Sequence, residues 1–203
     1  MFLLVSGASG AGKSTARRLV ARELEPAVEC VELRDVVGMP RVPTLAWRQR
    51  ATEAVVCHAL KLQADGRHLL LAGDPVAAGE VLAAPSADRL DGIAVCLLDV
   101  ARDTQAARLA ARGDDPTLLV HHVAFADWMR EHAAHPDHRL EVLQTNGWEH
   151  MRWERLRRLD ETGSWAMHVL DTSSLTAATV ATELLAWCRR TLTGQSPSMH
   201  LRP

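Results

Sequence analysis

Residues 3–19, "LLVSGASGAGKSTARRL", decide the fold. The apolar run Phe2 to Val5 suits a strand buried on both faces, and Lys13 to Leu24 carries Leu19, Val20 and Leu24 at helical spacing. Between them Gly7, Ala8, Ser9, Gly10, Ala11, Gly12, Lys13 and Ser14 complete the pattern G-x-x-x-x-G-K-[ST], after a strand and before a helix as that pattern requires. Small residues let successive backbone N–H groups turn inward around phosphate oxygens, and the first helical turn adds unpaired donors and a positive dipole end. The pattern therefore assigns Lys13 to the β and γ phosphates of a nucleotide, the Ser14 hydroxyl to Mg²⁺ and Thr15 to the α phosphate.

Working outward, Val28 to Leu33 reads as a second strand. Pro40 and Pro43 break the chain before a long helix from Trp47 to Ala64, closed by Gly66. His68 to Ala72 and Ile93 to Leu98 are two further buried strands, Thr104 to Arg112 a helix stopped by Gly113, and Trp165 to Leu170 a last strand. Leu175 to Thr191 is an amphipathic helix with Val180, Leu184, Leu185 and Trp187 available to a core. Strands alternating with helices predict a five-stranded parallel sheet covered on both faces. Residues 114–163 show no convincing strand and are rich in His, Arg and Trp, which predicts a helical lid or substrate lobe within one domain spanning 1–192. Residues 193–203 are expected to form a flexible tail.

Composition narrows the function. The chain has 203 residues, 47% hydrophobic and 24% charged, with a net charge of −2, so it can bury a core and has no general pull toward nucleic acid or anionic lipid. Cys30, Cys57, Cys96 and Cys188 are scattered without CxxC spacing, as expected of reduced thiols. "MFLLV" is too short and lacks the basic start of a signal peptide, and no run approaches a membrane span, so a cytoplasmic protein is expected.

The chain resembles the small P-loop kinases, the superfamily of nucleoside monophosphate kinases, shikimate and gluconate kinases and chloramphenicol phosphotransferase. The resemblance covers most of residues 1–192. It rests on "GASGAGKST", "VELRDVVG", "LLLAGDPV", "CLLDVARDTQAARLAARGD" and "HVLDTSSLT", of which only the first is specific alone. It implies a three-layer α/β/α P-loop NTPase fold with strand order 2-3-1-4-5. It implies ATP and Mg²⁺ as cofactors, and phosphoryl transfer to a small-molecule acceptor. Asp35 occupies the place where several such kinases hold an acidic residue against the acceptor hydroxyl, which makes it the preferred base; a helix cap is its ordinary alternative. Asp74 should emerge beside the phosphate loop, where a carboxylate can hold Mg²⁺, with Asp99 the weaker choice. Monophosphate kinases commonly carry "DG-x-P-R" there, whereas this chain has "AGDPV", which argues against a monophosphate acceptor. Arg108 and Arg112, four apart on one helix face, match lid arginines that neutralise charge on the transferred group.

Other classes are tested by what is missing. The one asparagine, Asn146, lies in "TNGW", so the guanine-reading N-K-x-D motif is not present, and neither is an LSGGQ-type signature. His132, His135 and His138, with His121 and His122 upstream, are interrupted by Pro136 and lack the Cys or carboxylate partners of a zinc pattern; partly exposed lobe histidines are expected. The tryptophans are read as core rather than as base-stacking surfaces. Two further readings stand beside the small-molecule kinase: a polynucleotide-end kinase, which needs a basic groove that the total charge does not favour, and a nucleotide-dependent switch without an acceptor.

Overall fold

A computed structural model describes residues 1–202. Five strands form one parallel sheet: β1 (Phe2–Ser6), β2 (Val28–Val31), β3 (His68–Ala72), β4 (Ile93–Asp99) and β5 (His168–Asp171), in the spatial order β2-β3-β1-β4-β5. The register sets Leu3 beside Leu70 and Leu4 beside Val95, so the central strand is fully inside. Continuous burial along β1 and β4 is what a parallel sheet with both faces covered demands.

Helices α1 (Lys13–Leu24) and α9 (Ala177–Leu192) cover one face. In α1 the inward stripe is Ala16, Val20 and Leu24, while Leu19 is half exposed, contrary to its expected place in the core. Positions four apart stack on one helix face, and Leu19 points between them and solvent. α9 starts two residues after Leu175, where Thr176 caps it by accepting from the Thr179 N–H at 3.1 Å. Its Leu184 and Trp187 are buried, as the amphipathic pattern predicts.

The opposite face is covered by α3 (Leu45–Ala64), the short α4 (Ala78–Leu82) and α8 (Glu154–Glu161), packed in a second core with Phe2, Leu69, Leu71 and Val95. α5 (Arg102–Arg112) leads through a 3₁₀ turn into α6 (Leu119–Ala134), and α7 (Glu141–Gln144) follows. Residues 114–163 therefore contain only helices, turns and loops among the described residues. Trp128 of α6 is buried between Phe125 and His132, at ring separations of 5.4 and 4.7 Å. His132 is also buried, not partly exposed as expected: its Nε2 accepts the Gly79 N–H at 3.2 Å, and desolvation pushes its pKa down to about 4, so it is neutral.

A buried side chain hydrogen-bonds this segment to the sheet-covering helix. Gln49 of α3, completely buried, donates to Leu143 O at 2.6 Å and accepts from Trp148 N at 2.6 Å. Within residues 193–203, expected to form a flexible tail, Met199 is fully buried and exchanges two backbone hydrogen bonds with Ile93, at 2.7 and 2.9 Å. An apolar side chain seven residues past the end of α9 is enough to dock the segment, because it fills space at the amino edge of the sheet.

Candidate functional site

The loop between β1 and α1 stands at the carboxyl edge of the sheet, where the connections diverge to either side of β1 and ligands of open α/β sheets bind. Gly7 has φ 142°, and a Cβ there would lie 2.5 Å from Leu98 O, so only glycine lets the chain leave β1 this close to β4. The far side of the loop is fixed by Gln105, fully buried, whose amide donates to Ser9 O at 2.8 Å. A cleft of about 440 Å³ opens over it, lined by Ser9 to Ala16, Gly73, Arg108, Arg112, Leu175, Ala177 and Val180. Gly7 and Ala8 do not line it.

Lys13 is the floor of this cleft. Its Nζ donates to Ala8 O at 2.8 Å, and no ion pair is formed with it among the described residues. Burial lowers its pKa to about 8; the charge of Asp74 and, more weakly, that of Glu32 opposes this, and Arg112 adds to it. A buried ammonium that meets only a carbonyl is a position where an anion restores what desolvation removes.

Three carboxylates crowd the ends of β2 and β3. Sequence reasoning selected Asp35, placing it just beyond a strand that ran to Leu33. β2 ends at Val31 instead, and α2 (Leu33–Val37) begins at once, so Asp35 falls in its first turn. Its Oδ2 accepts from Glu32 N at 2.8 Å in a capping box, the side chain remains 45% exposed, and it does not line the cleft.

The carboxylate nearer the loop is Glu32, which the sequence reading passed over. It is buried, bonded by Arg17 at 3.1 Å through Oε1 and by Arg34 Nε at 2.6 Å through Oε2. Burial works against its charge, but the hydrogen bond from Arg34, the two guanidinium charges and the Ser14 hydroxyl outweigh it and hold the carboxyl below its usual range. Gly73 makes room for it: a Cβ on Gly73, at φ 115°, would lie 2.6 Å from Glu32 Cδ. The available signal was the E-x-x-D spacing at a strand end, a capping box written with two acids.

Asp74 follows Gly73. Its Oδ2 accepts from Leu33 N at 2.7 Å, and desolvation raises its pKa, with the Leu33 hydrogen bond and the charges of Arg34 and Lys13 opposing and that of Glu32 adding to the rise. Asp99, the alternative, is occupied: Arg130 of α6 reaches both of its oxygens from Nε at 2.8 Å. The two arginines of α5 differ likewise. Arg108 bridges Gly10 O at 3.3 Å and Thr172 O at 2.6 Å, stitching the loop to the end of β5, whereas the more exposed Arg112 is bonded to Asp114 at the cleft wall.

No known family model matches the chain, and no curated protein matches it in sequence. Solved structures do. A sugar kinase from Janibacter sp. HTCC2649 superposes with TM-score 0.54 at 16% identity, covering 93% of this chain and 94% of that one. A protein described as APE1195 gives TM-score 0.54 at 14% identity over 95% and 96%. A chain of the Pnkp1/Rnl/Hen1 RNA repair complex gives 0.50 at 13% over 98% and 86%. The shared fold is the three-layer α/β/α architecture with a five-stranded parallel sheet of order 2-3-1-4-5.

Proposed function

We propose that the protein is a Mg²⁺-dependent phosphotransferase that moves the γ-phosphoryl group of ATP to the hydroxyl of a small-molecule acceptor. The observation that carries this reading is Lys13, a buried cation without a carboxylate partner at the floor of a backbone-lined cleft. The apolar wall of Leu175, Ala177 and Val180 suits a base, and Arg108 and Arg112 suit the phosphate chain. The sugar kinase with the same fold supports an acceptor bearing hydroxyl groups.

The donor set also fits magnesium. That ion keeps several waters and needs only one or two protein oxygens beside phosphate; the Ser14 hydroxyl would hold it directly and Asp74 would hold it through one of those waters, leaving Oδ1 of Asp74 free. When bound, Mg²⁺ neutralises charge on the phosphate oxygens. The chain does the remainder: Lys13 and the loop amides hold the terminal group, and Arg112 faces the charge that spreads over it. Asp74, raised toward protonation, is better matched to receive the acceptor's proton than the doubly paired Glu32. Asp35 acts through Glu32 as a positioning residue.

The test is ATP consumption against a panel of sugars, other metabolites, nucleosides, antibiotics and 5′-hydroxyl oligonucleotides. A small hydroxylated molecule should stimulate turnover at least tenfold. Stimulation by none would replace the kinase with a nucleotide-dependent switch, and stimulation by oligonucleotides alone with an end kinase.

A further inference from the structure

A second cavity lies at the amino edge of the sheet, the end opposite the phosphate loop. It measures about 270 Å³ and lies between α8 and the docked tail, lined among others by Arg155, Arg158, Thr162, Ser164, His200 and Arg202. Along α8, positions 155, 158, 159 and 162 share one face, so two guanidinium groups and a hydroxyl turn toward the tail together. His200 sits against Gly92, just ahead of β4, which fixes the cavity's place at this edge.

Two of the arginines are held rigidly by main-chain carbonyls. Arg155 donates to Ala84 O at 2.7 Å and Pro85 O at 3.1 Å, and Arg202 donates to Asp88 O at 2.7 Å and Arg89 O at 2.6 Å. Carbonyls orient a guanidinium but leave its charge in place. The one carboxylate paired with the group is Asp88, 3.0 Å from Arg155, and Arg158 forms no ion pair among the described residues. Three positive side chains against one negative leave two positive charges facing a concave space with hydroxyls on its rim.

We propose that this cavity is a binding site for a small phosphate-bearing ligand, separate from the nucleotide cleft. A phosphomonoester carries about 1.5 to 2 negative charges at neutral pH, which matches the excess, and its oxygens accept from guanidinium forks more fully than a monocarboxylate does. The cavity holds a molecule the size of a sugar phosphate, and one wall is the tail itself. Occupancy therefore fastens residues 198–202 to α8 and reinforces the Ile93–Met199 pairing.

Inorganic phosphate and a sugar monophosphate are titrated against the whole chain while melting temperature and amide exchange are followed, in the natural protein, in Lys13→Ala and in Arg158→Ala. Arg158 is exposed, so its removal leaves the fold intact. The proposal expects stabilisation that persists in Lys13→Ala, an apparent affinity at least fivefold weaker in Arg158→Ala, and slowed exchange at the Ile93 and Met199 amides. Stabilisation lost in Lys13→Ala but kept in Arg158→Ala assigns all phosphate to the nucleotide cleft and overturns it. A lack of any stabilisation overturns it as well, as does a response to single-stranded RNA without one to either phosphate.

Discussion

The ends of β3 and β4 have the same local sequence logic, an apolar strand running out into an aspartate, and opposite outcomes. At the β3 corner Asp74 has one oxygen on a backbone amide and one free, and it is desolvated beside Lys13. At the β4 corner both oxygens of Asp99 are held by Arg130, which also bonds Asp127 at 2.6 Å and Val100 O at 3.1 Å. The difference comes from what each corner faces. β3 opens toward the phosphate loop, whereas β4 opens toward α6, whose arginine converts a possible reactive group into a fastening between helix and sheet. A strand-end carboxylate acquires chemistry only when no neighbouring cation has already claimed it.

The most drastic way to break the comparison is to remove the cation from the first corner. Lys13→Ala should lower phosphoryl transfer by about 10²–10³-fold, the scale of losing one preorganised charge-stabilising donor. The melting temperature should not fall, because the buried charge disappears with its desolvation cost. Next in size, Asp74→Asn keeps an acceptor for Leu33 N and should cost roughly 10–10²-fold in kcat, while Asp99→Asn should leave kcat within about twofold. The β4 variant should show its effect in unfolding instead, by about 1 kcal/mol, since Arg130 keeps its other partners. Equal kinetic losses at both corners would erase the distinction.

The pH dependence sharpens it further. The folded pKa of Lys13 is lowered to about 8, so the ammonium proposed to attract phosphate is lost as pH rises through that value. Asp74 is raised, so its carboxylate is lost as pH falls through a value above the ordinary aspartate range. kcat/KM, which reports the free enzyme, should therefore fall on both sides, and nucleotide binding at pH 9 should take up protons in calorimetry run in two buffers. Asp74→Asn should abolish the acid limb alone. The smallest effect belongs to Asp35→Asn: nucleotide affinity retained, turnover reduced only a few-fold and stability lowered by less than about 1 kcal/mol through the cap. A loss in turnover as large as that of Asp74→Asn would return the base to Asp35.

The loop between β1 and α1 was legible because its sequence pattern is local. Eight consecutive residues supply the pattern, and the flanking strand and helix follow from hydrophobic periodicity. The acid beside it was not, since its identity turns on where β2 stops. A strand ending two residues earlier than expected moves the inward position from the neighbourhood of Asp35 to Glu32, and no periodicity marks that boundary in a four-residue strand. His132 and Met199 escaped for another reason. Each is buried by partners far away in sequence, Gly79 and Ile93, and their immediate neighbours are polar enough to suggest a surface. Arg130 belongs with them, because only the placement of α6 against β4 reveals that Asp99 is taken.

The crossed bonding of Gln49 has a consequence for how the molecule transmits force. Only a carboxamide offers a donor to one main-chain carbonyl and an acceptor to one main-chain amide from the same planar tip; glutamate would turn a lone pair toward Leu143 O, and leucine would abandon both groups in a dry interior. The helix beginning at Leu45 and the stretch around residues 143–148 are thus geared together, and a displacement of either is obliged to carry the other with it.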